Sequence, residues 1–412
     1  MRYPKRVPVQ VEIEKLVYGG QGLGRLNGRA VLVPFVLPGE QVEVEPVKET
    51  PSLVHARPLD LPRRSEHRVA ADCPLFGECG GCQFQHISYP KQLEYKREIL
   101  RETLARIAKI TWEGPIETHA GDPWAYRNRT QLRVVKHGRK VGVGFLEAGS
   151  RRLIHASQCP INSPALNRAH QALLEMAHQR RFPRFLQEVE FFTNETDVQL
   201  NVLDTERPLS KSFFDWCAEK IPGLSAGEYI DYPSGGDLFQ VGSRSFFQVN
   251  RFLTGKLAEG AVGDAAGRLA LDLYAGVGLM TLPLARKFDR VVAVDSSRRA
   301  ARSLQFNAER AGLEAKVVNL NVEEFLPSCE EAVDFVVADP PRAGLGPRVT
   351  TQLLRLRAPR LALVSCDPAT LARDLSALTS SGYQIGKITF IDMFPQTFHI
   401  ECVVDLRLSA SG

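Results

Sequence analysis

The chain has 412 residues, of which 44% are hydrophobic and 24% charged, with a formal net charge of +5. At roughly 100–200 residues per domain this length predicts two to four domains, and no apolar run approaches the roughly 18 residues of a membrane span. The start, Met1-Arg2-Tyr3-Pro4-Lys5-Arg6, leads into strand-like alternation without an apolar signal core, so a cytoplasmic monomer with no membrane partner is expected.

Residues 7–59 predict a small β-barrel, with strands at Val9 to Ile13, Ala30 to Phe35 and Gln41 to Val47. The run Gly19-Gly20-Gln21-Gly22-Leu23-Gly24-Arg25 and Pro38-Gly39-Glu40 are read as turns; the Gly run lacks the Gly-Lys-Ser/Thr ending of a phosphate loop. Gly24-Arg25 and Leu37-Pro38-Gly39-Glu40 resemble the small RNA-binding TRAM domain. Pro58, Pro62 and the charged Arg63 to Arg68 read as a linker.

Cys73, Cys79 and Cys82 follow within one short segment, with Gly80-Gly81 beside them, and Cys159 stands alone before Pro160. Three close cysteines fit metal ligation better than disulfides in a reducing compartment. A triplet plus a remote fourth cysteine suits a [4Fe-4S] cluster better than zinc, which usually draws on two C-x2-C pairs; an unmetallated structural cluster is the third reading, and His86 is a spare donor.

Ser88 to Lys109 carries a helical pattern, with Leu93, Ile99, Leu100, Leu104 and Ile107 on one face. Tyr126 to Val143 and Val189 to Leu203 are β-rich and flank a helix near Ala165 to Gln179, giving an α+β central domain. Basic clusters crowd the same half: Lys96-Arg97, Arg127 and Arg129, Arg133 to Lys140, Arg151-Arg152 and Arg180-Arg181. Together they predict a polyanion-binding face.

From Leu269 strands and helices alternate, with strands at Leu269 to Tyr274, Val291 to Asp295, Ala315 to Val318, Val333 to Asp339, Leu361 to Ser365, Ile388 to Phe394 and Ile400 to Leu406. This predicts a mainly parallel, doubly wound α/β domain, whose ligand crevice lies at the carboxyl ends of the strands. The expected partition is a barrel over 1–59, a central domain over 60–226 and the α/β domain over 227–412.

Four signals converge on that crevice. Asp272-Leu-Tyr274-Ala-Gly276-Val-Gly278 ends the first strand and Asp295 closes the second, where an acid holds ribose hydroxyls. Thr281 stands where a dinucleotide fingerprint has its third glycine, which favours S-adenosylmethionine, a ligand without a pyrophosphate. Asp339-Pro340-Pro341-Arg342 makes a stiff loop after the fourth strand. Ser365-Cys366-Asp367-Pro368 sets a thiol where the fifth strand stops, and Glu401 lies among apolar residues that raise a carboxylate pKa and suit it to general-base work.

Asp339-Pro-Pro-Arg342, Ser365-Cys366-Asp367-Pro368, Phe394-Pro395-Gln396-Thr397 through His399 and Glu401, and Phe247-Gln248-Val249-Asn250 resemble the RNA 5-methyluridine methyltransferases over nearly the whole chain. The resemblance implies a class I, Rossmann-like methyltransferase domain with Cys366 as nucleophile and Glu401 as base. It implies Gln248, Tyr274, Asp295, Asn321 and Asp339 around S-adenosylmethionine and the target base, and Cys73, Cys79, Cys82 and Cys159 around a [4Fe-4S] cluster. Asp367 stands where the family commonly has Asn, and Asp295 where it has Glu. The implied substrate is RNA, with ribosomal RNA favoured over transfer RNA by the cysteine set. A non-catalytic RNA-binding scaffold is the alternative of another class.

Overall fold

The computed structural model describes residues 8–138 and 140–409; Arg139 of the basic run and the basic start Met1 to Arg6 lie outside the described residues. The chain forms two compact units, one of residues 1–102 with 146–154 and 394–399, the other of the remainder. Among the described residues no helix is long and apolar enough to cross a membrane.

In the first unit five strands close into a barrel: β1 (Val9–Val17), β2 (Gln21–Leu26), β3 (Arg29–Pro34), β4 (Gln41–Glu49) and β5 (Leu53–Arg63), in the order β1-β2-β3-β5-β4. Alternate residues point inward, so Val11, Ile13, Val31, Val33, Val42, Val44 and Val54 fill the interior. Two sequence expectations need correction. Only the start of the glycine run turns; Gly22 and Gly24 lie inside β2, where a Cβ would meet Val36 and Glu12 at 2.4 Å, so their missing side chains let the strands close. The linker expected from Pro58 begins later, because Pro58 sits in β5 opposite Val44 beside a register shift that absorbs its missing N–H.

The Pro38-Gly39-Glu40 turn has a structural purpose. Glu40 is fully buried and accepts from Arg68 Nε and Nη2 at 2.6 Å each, from Leu37 N at 2.8 Å and from Ser65 N at 3.1 Å. Helix α1 (Tyr89–Thr103) runs on into a π-helical turn, Leu104–Ala108. Ile107, expected on the apolar face, is 37% exposed, whereas Lys96, counted among the basic clusters, is buried and donates to Phe394 O at 2.9 Å. The wider turn shifts the 3.6-residue register at the end of the helix, which accounts for Ile107.

The second unit holds β6 (Ile116–His119), β7 (Arg129–His137), β8 (Lys140–Leu146), α2 (Pro164–Ala177), β10 (Leu186–Thr193), β11 (Val198–Thr205) and α3 (Lys211–Lys220); β9 (Leu153–Ile154) belongs to the first. β10 pairs antiparallel with β7 and β11, and α2 and α3 add Leu166, Leu173 and Trp216 to the core beneath them. Next come the hairpin β12 (Tyr229–Ser234) and β13 (Asp237–Gly242), and α4 (Thr254–Val262).

All seven strands expected in the carboxyl half are present: β14 (Gly267–Leu273), β15 (Phe288–Val294), β16 (Lys316–Val318), β17 (Phe335–Ala338), β18 (Arg360–Ser365), β19 (Tyr383–Ile391) and β20 (Glu401–Leu408). The helices between them are α5 (Thr281–Ala285), α6 (Arg298–Arg310), α7 (Val322–Phe325), α8 (Gly346–Leu356) and α9 (Pro368–Thr379). The sheet order is β16-β15-β14-β17-β18-β20-β19-β6, a Rossmann-like arrangement in which the chain leaves β14 towards one edge and returns through β17 towards the other. Two features were not expected. β6, from far upstream, adds a parallel edge strand beside β19, and β20 runs antiparallel between β18 and β19.

Candidate active site

The order reversal between β14 and β17 leaves a crevice at their carboxyl ends, and the residues there are those that stop each strand. Tyr274 follows β14 with φ +63, a left-handed conformation that costs a non-glycine residue energy and is found at sites where surrounding structure enforces it. Gly276 faces open space, with no atom within 4 Å of a would-be Cβ, while at Gly278 a Cβ would press on Leu304 at 3.1 Å. Asp295, after β15, accepts from Gly276 N at 2.8 Å and Ser297 N at 2.7 Å, tying the glycine turn to the head of α6. Asn321 precedes α7 beyond β16 and is exposed; its carbonyl accepts from Glu324 N and Phe325 N at 3.0 Å each.

Asp339 follows β17, and its carboxylate accepts from Gln248 Nε2 at 3.0 Å. Gln248 is held in turn: Asn128 Nδ2 donates to its carbonyl at 2.9 Å, and Asn250 Nδ2 donates to Asp392 O and Met393 O at 3.3 Å. The Phe-Gln-Val-Asn motif is thus a buried brace that aims one amide at Asp339. Asp272, expected to face the crevice, is instead inside β14 and accepts from Thr281 Oγ1 at 2.5 Å. Thr281 therefore occupies the place of a third glycine as a donor to that buried acid.

Cys366 sits between strand and helix. Asp367 caps α9, its Oδ1 accepting from Ala369 N and Thr370 N at 2.9 Å each, and Pro368 opens the helix where no N–H is needed. The thiol is half-buried. Because β20 is antiparallel, it begins where β18 ends. Their ladder closes on the pair Ser365 and Cys402, whose chain neighbours are Cys366 and Glu401.

The electrostatics of this cluster are lopsided. Burial pushes Glu401 well above the carboxylate range and the charge of Asp339 adds to it; Arg342 opposes both. Burial lifts Asp339 to about 7 against its bond from Gln248, and lifts Asp272 to about 7 against its bond from Thr281, with the charges of Asp339 and Asp295 adding at Asp272. The Cys366 thiol is pushed up to about 12 by burial, then by the charges of Glu401 and Asp339, with Arg342 pulling the other way. Arg342, exposed on the Pro-Pro loop, is the cation that sequence reasoning quoted but gave no task. Phe246, which carries the largest exposure among the big hydrophobic side chains at 66%, is the other unassigned neighbour of Gln248.

The expected metal ligands are less tightly gathered. Cys73, Cys79 and Cys82 lie in a series of turns tied to 146–148 by Gly80 N to Leu146 O and Ala148 N to Glu78 O, both 3.0 Å. Cys159 belongs to the second unit, its N–H donating to Asn167 Oδ1 at 2.9 Å. All four cysteines are half-buried and outside any disulfide, but among the described residues no three Cys, His, Asp or Glu side chains come together as metal ligands. His86 is enclosed by Phe35 and Phe76 and held neutral by burial, a packing role in place of a ligand's. The basic clusters are partly self-paired: Arg129 joins Glu190 at 3.0 Å and Arg133 joins Glu188 at 2.9 Å across the β7–β10 ladder.

The model of the tRNA (uracil-5-)-methyltransferase family matches residues 238–408, and that of the TRAM domain matches residues 5–58. The chain is 31% identical to an uncharacterized RNA methyltransferase of Thermosynechococcus vestitus over 97% of its own length and 98% of the relative's. It is 30% identical to one of Aquifex aeolicus, over 98% and 99% of the two chains. The crystal structure of Pyrococcus abyssi tRNA (uracil-54, C5)-methyltransferase in complex with S-adenosyl-L-homocysteine is similar with a TM-score of 0.74 and 27% identity, covering 97% of this chain and 100% of that one.

Proposed function

Because this chain belongs to the tRNA (uracil-5-)-methyltransferase family of RNA methyltransferases, we propose that Cys366 and Glu401 act in turn on one uridine of its RNA substrate. The observation that supports this reading is that the β18–β20 ladder ends on Ser365 and Cys402, the chain neighbours of Cys366 and the buried Glu401, and that the Glu401 charge acts on the thiol. Uracil C5 is a poor nucleophile. Addition of the Cys366 sulfur to C6 makes C5 enolate-like, and after methylation Glu401 takes the C5 proton so that the sulfur can leave as C5 and C6 regain their double bond.

S-adenosylmethionine supplies the methyl group as a sulfonium. The donor set suits that cation: the charges of Asp339 and Asp295 act on Asp272 and that of Asp339 acts on Glu401, and burial lifts Asp339 and Asp272 to about 7. Gln248, Tyr274, Asp295, Asn321 and Asp339 would hold it, with Asp295 turned to the ribose. A positive ligand lowers the carboxylate pKa values and readies Glu401 to accept a proton. Phe246 offers a ring on which a flipped-out base can stack.

Ribosomal RNA is the substrate we favour, on the cysteine set that accompanies the barrel. Transfer RNA is the second reading, supported by the activity in the name of the Pyrococcus abyssi neighbour. Mapping 5-methyluridine in total RNA from cells with and without the gene decides between them: one position vanishes from ribosomal RNA if the first reading holds, from transfer RNA if the second does. No lost 5-methyluridine at all contradicts both. The iron–sulfur reading rests on the cysteine spacing, and no catalytic step passes through it. Anaerobically purified protein is expected to be brown, with close to four irons per chain as in ~[4Fe-4S] proteins; zinc alone, or no metal, contradicts it.

A further inference from the structure

A cavity of about 740 Å³ opens between β11, α3, the β12–β13 hairpin and the start of α6, and shares no residue with the Cys366 crevice. Its volume is that of a small-molecule site. On its wall Phe214 and Tyr229 leave 42% and 43% of their surface in water. The Tyr229 ring lies against Gly242, where a Cβ would come within 3.4 Å of it, so one face is backed and the ring is pre-positioned. Lys211, Arg299 and Arg302 also line the cavity, all exposed, and among the described residues none of them is in an ion pair. Arg299 Nη1 reaches only a carbonyl, Ser243 O, at 3.5 Å. Asp215 and Glu228 line the same cavity, leaving three cations against two carboxylates.

The floor of the cavity is polar. Gln199 is only 3% exposed and lines the cavity; its Nε2 donates to Glu228 O at 3.0 Å, but its Oε1 has no partner. That bond fixes the amide orientation, so the orphan is an acceptor. Exposed aromatic rings and arginines outside any ion pair together match a nucleotide: a flat base and an anionic phosphate. The cavity is also built into the catalytic scaffold. Arg299 and Arg302 stand on α6, the helix headed by the Asp295 turn, and Ser243 precedes Gln248 by a few residues.

We propose that this cavity binds a second, unpaired nucleotide of the RNA substrate, its base against Phe214 and Tyr229 and its phosphate at Arg299 and Arg302. The proposal rests on the RNA-methyltransferase reading, and its consequence is specificity: the enzyme would select RNA that presents two unpaired nucleotides.

Methyl transfer from labelled S-adenosylmethionine to RNA by the unaltered protein tests the underlying reading separately, since it does not depend on the cavity. For the cavity, the double variant Arg299→Ala/Arg302→Ala and Tyr229→Leu should each raise KM for RNA about tenfold while leaving kcat and S-adenosylmethionine affinity unchanged, and Tyr229→Phe should restore KM. The arginine variant should also flatten the salt dependence of RNA binding. Ultraviolet crosslinking of RNA to the unaltered protein should give adducts on peptides spanning residues 211–229. An unchanged KM in folded variants, a loss of S-adenosylmethionine affinity instead, or crosslinks that avoid those peptides would overturn the proposal. An unchanged KM would turn attention to an acidic protein segment as the occupant.

Discussion

At the scale of single residues, the reactive thiol is in an unhelpful resting environment. Burial and two carboxylates hold Cys366 near 12, and Arg342 is the cation that counters them. Its nucleophile is the thiolate, so the rate should climb with pH while the thiol is the dominant form. Replacing Arg342 by Ala removes the lowering influence, raises the thiol further, and should cut single-turnover methylation by roughly tenfold at neutral pH, the effect of one pKa unit. The deficit should hold at roughly tenfold from about pH 7 to about pH 9, because the thiol remains the dominant form of both proteins there. A deficit that disappears at saturating RNA would instead assign Arg342 to RNA binding. Thr281 and Asp367 were legible as departures from familiar patterns, but their tasks were not: one donates to Asp272, the other caps α9, and both depend on where a neighbouring strand or helix lies.

Among the elements, strand positions could be read from apolar runs, whereas strand direction could not. Burial on both faces gives the same sequence signature to a parallel and an antiparallel strand, so the reversal of β20 that brings Glu401 to Cys366 had no signal of its own. Charge was similarly ambiguous. Lys96 and Arg129 read as surface, but their partners, Phe394 O and Glu190, are distant in sequence and take them out of water. The turn before β4 carries another such buried charge. Glu40 is held below the ordinary glutamate value although burial opposes it, because Arg68 and the N–H groups of Leu37 and Ser65 outweigh the desolvation. With the folded pKa lowered, its stabilisation is present above the unfolded value of 4.5 and is lost as pH falls through the folded one. Glu40→Ala leaves Arg68 without its carboxylate and should cost about 3 kcal/mol at neutral pH. Urea unfolding followed from pH 7 to pH 3 should show the variant and the parent converging in acid, and a constant gap would show that packing rather than charge accounts for the loss.

For the whole molecule, the family likeness spans nearly the full chain, whereas the proposed pair Cys366 and Glu401 lies in one unit. The order of strands could be anticipated from alternation; the joining of β6 to the far edge of the sheet could not, because four residues of ordinary β composition do not say which sheet they extend. The central claim is chemical and concerns the division of labour between Cys366 and Glu401. Denaturing gels of each variant, incubated with substrate RNA and S-adenosylmethionine, test it most directly. Cys366→Ala should give neither product nor adduct, because C5 is never activated. Glu401→Gln should add to the base and methylate it, then stall, since an amide cannot take the C5 proton, and a slow-migrating protein–RNA band should accumulate for this variant alone. A covalent band with Cys366→Ala, or none with a folded, S-adenosylmethionine-binding Glu401→Gln, would contradict the assignment and make Asp339 the first candidate for the base.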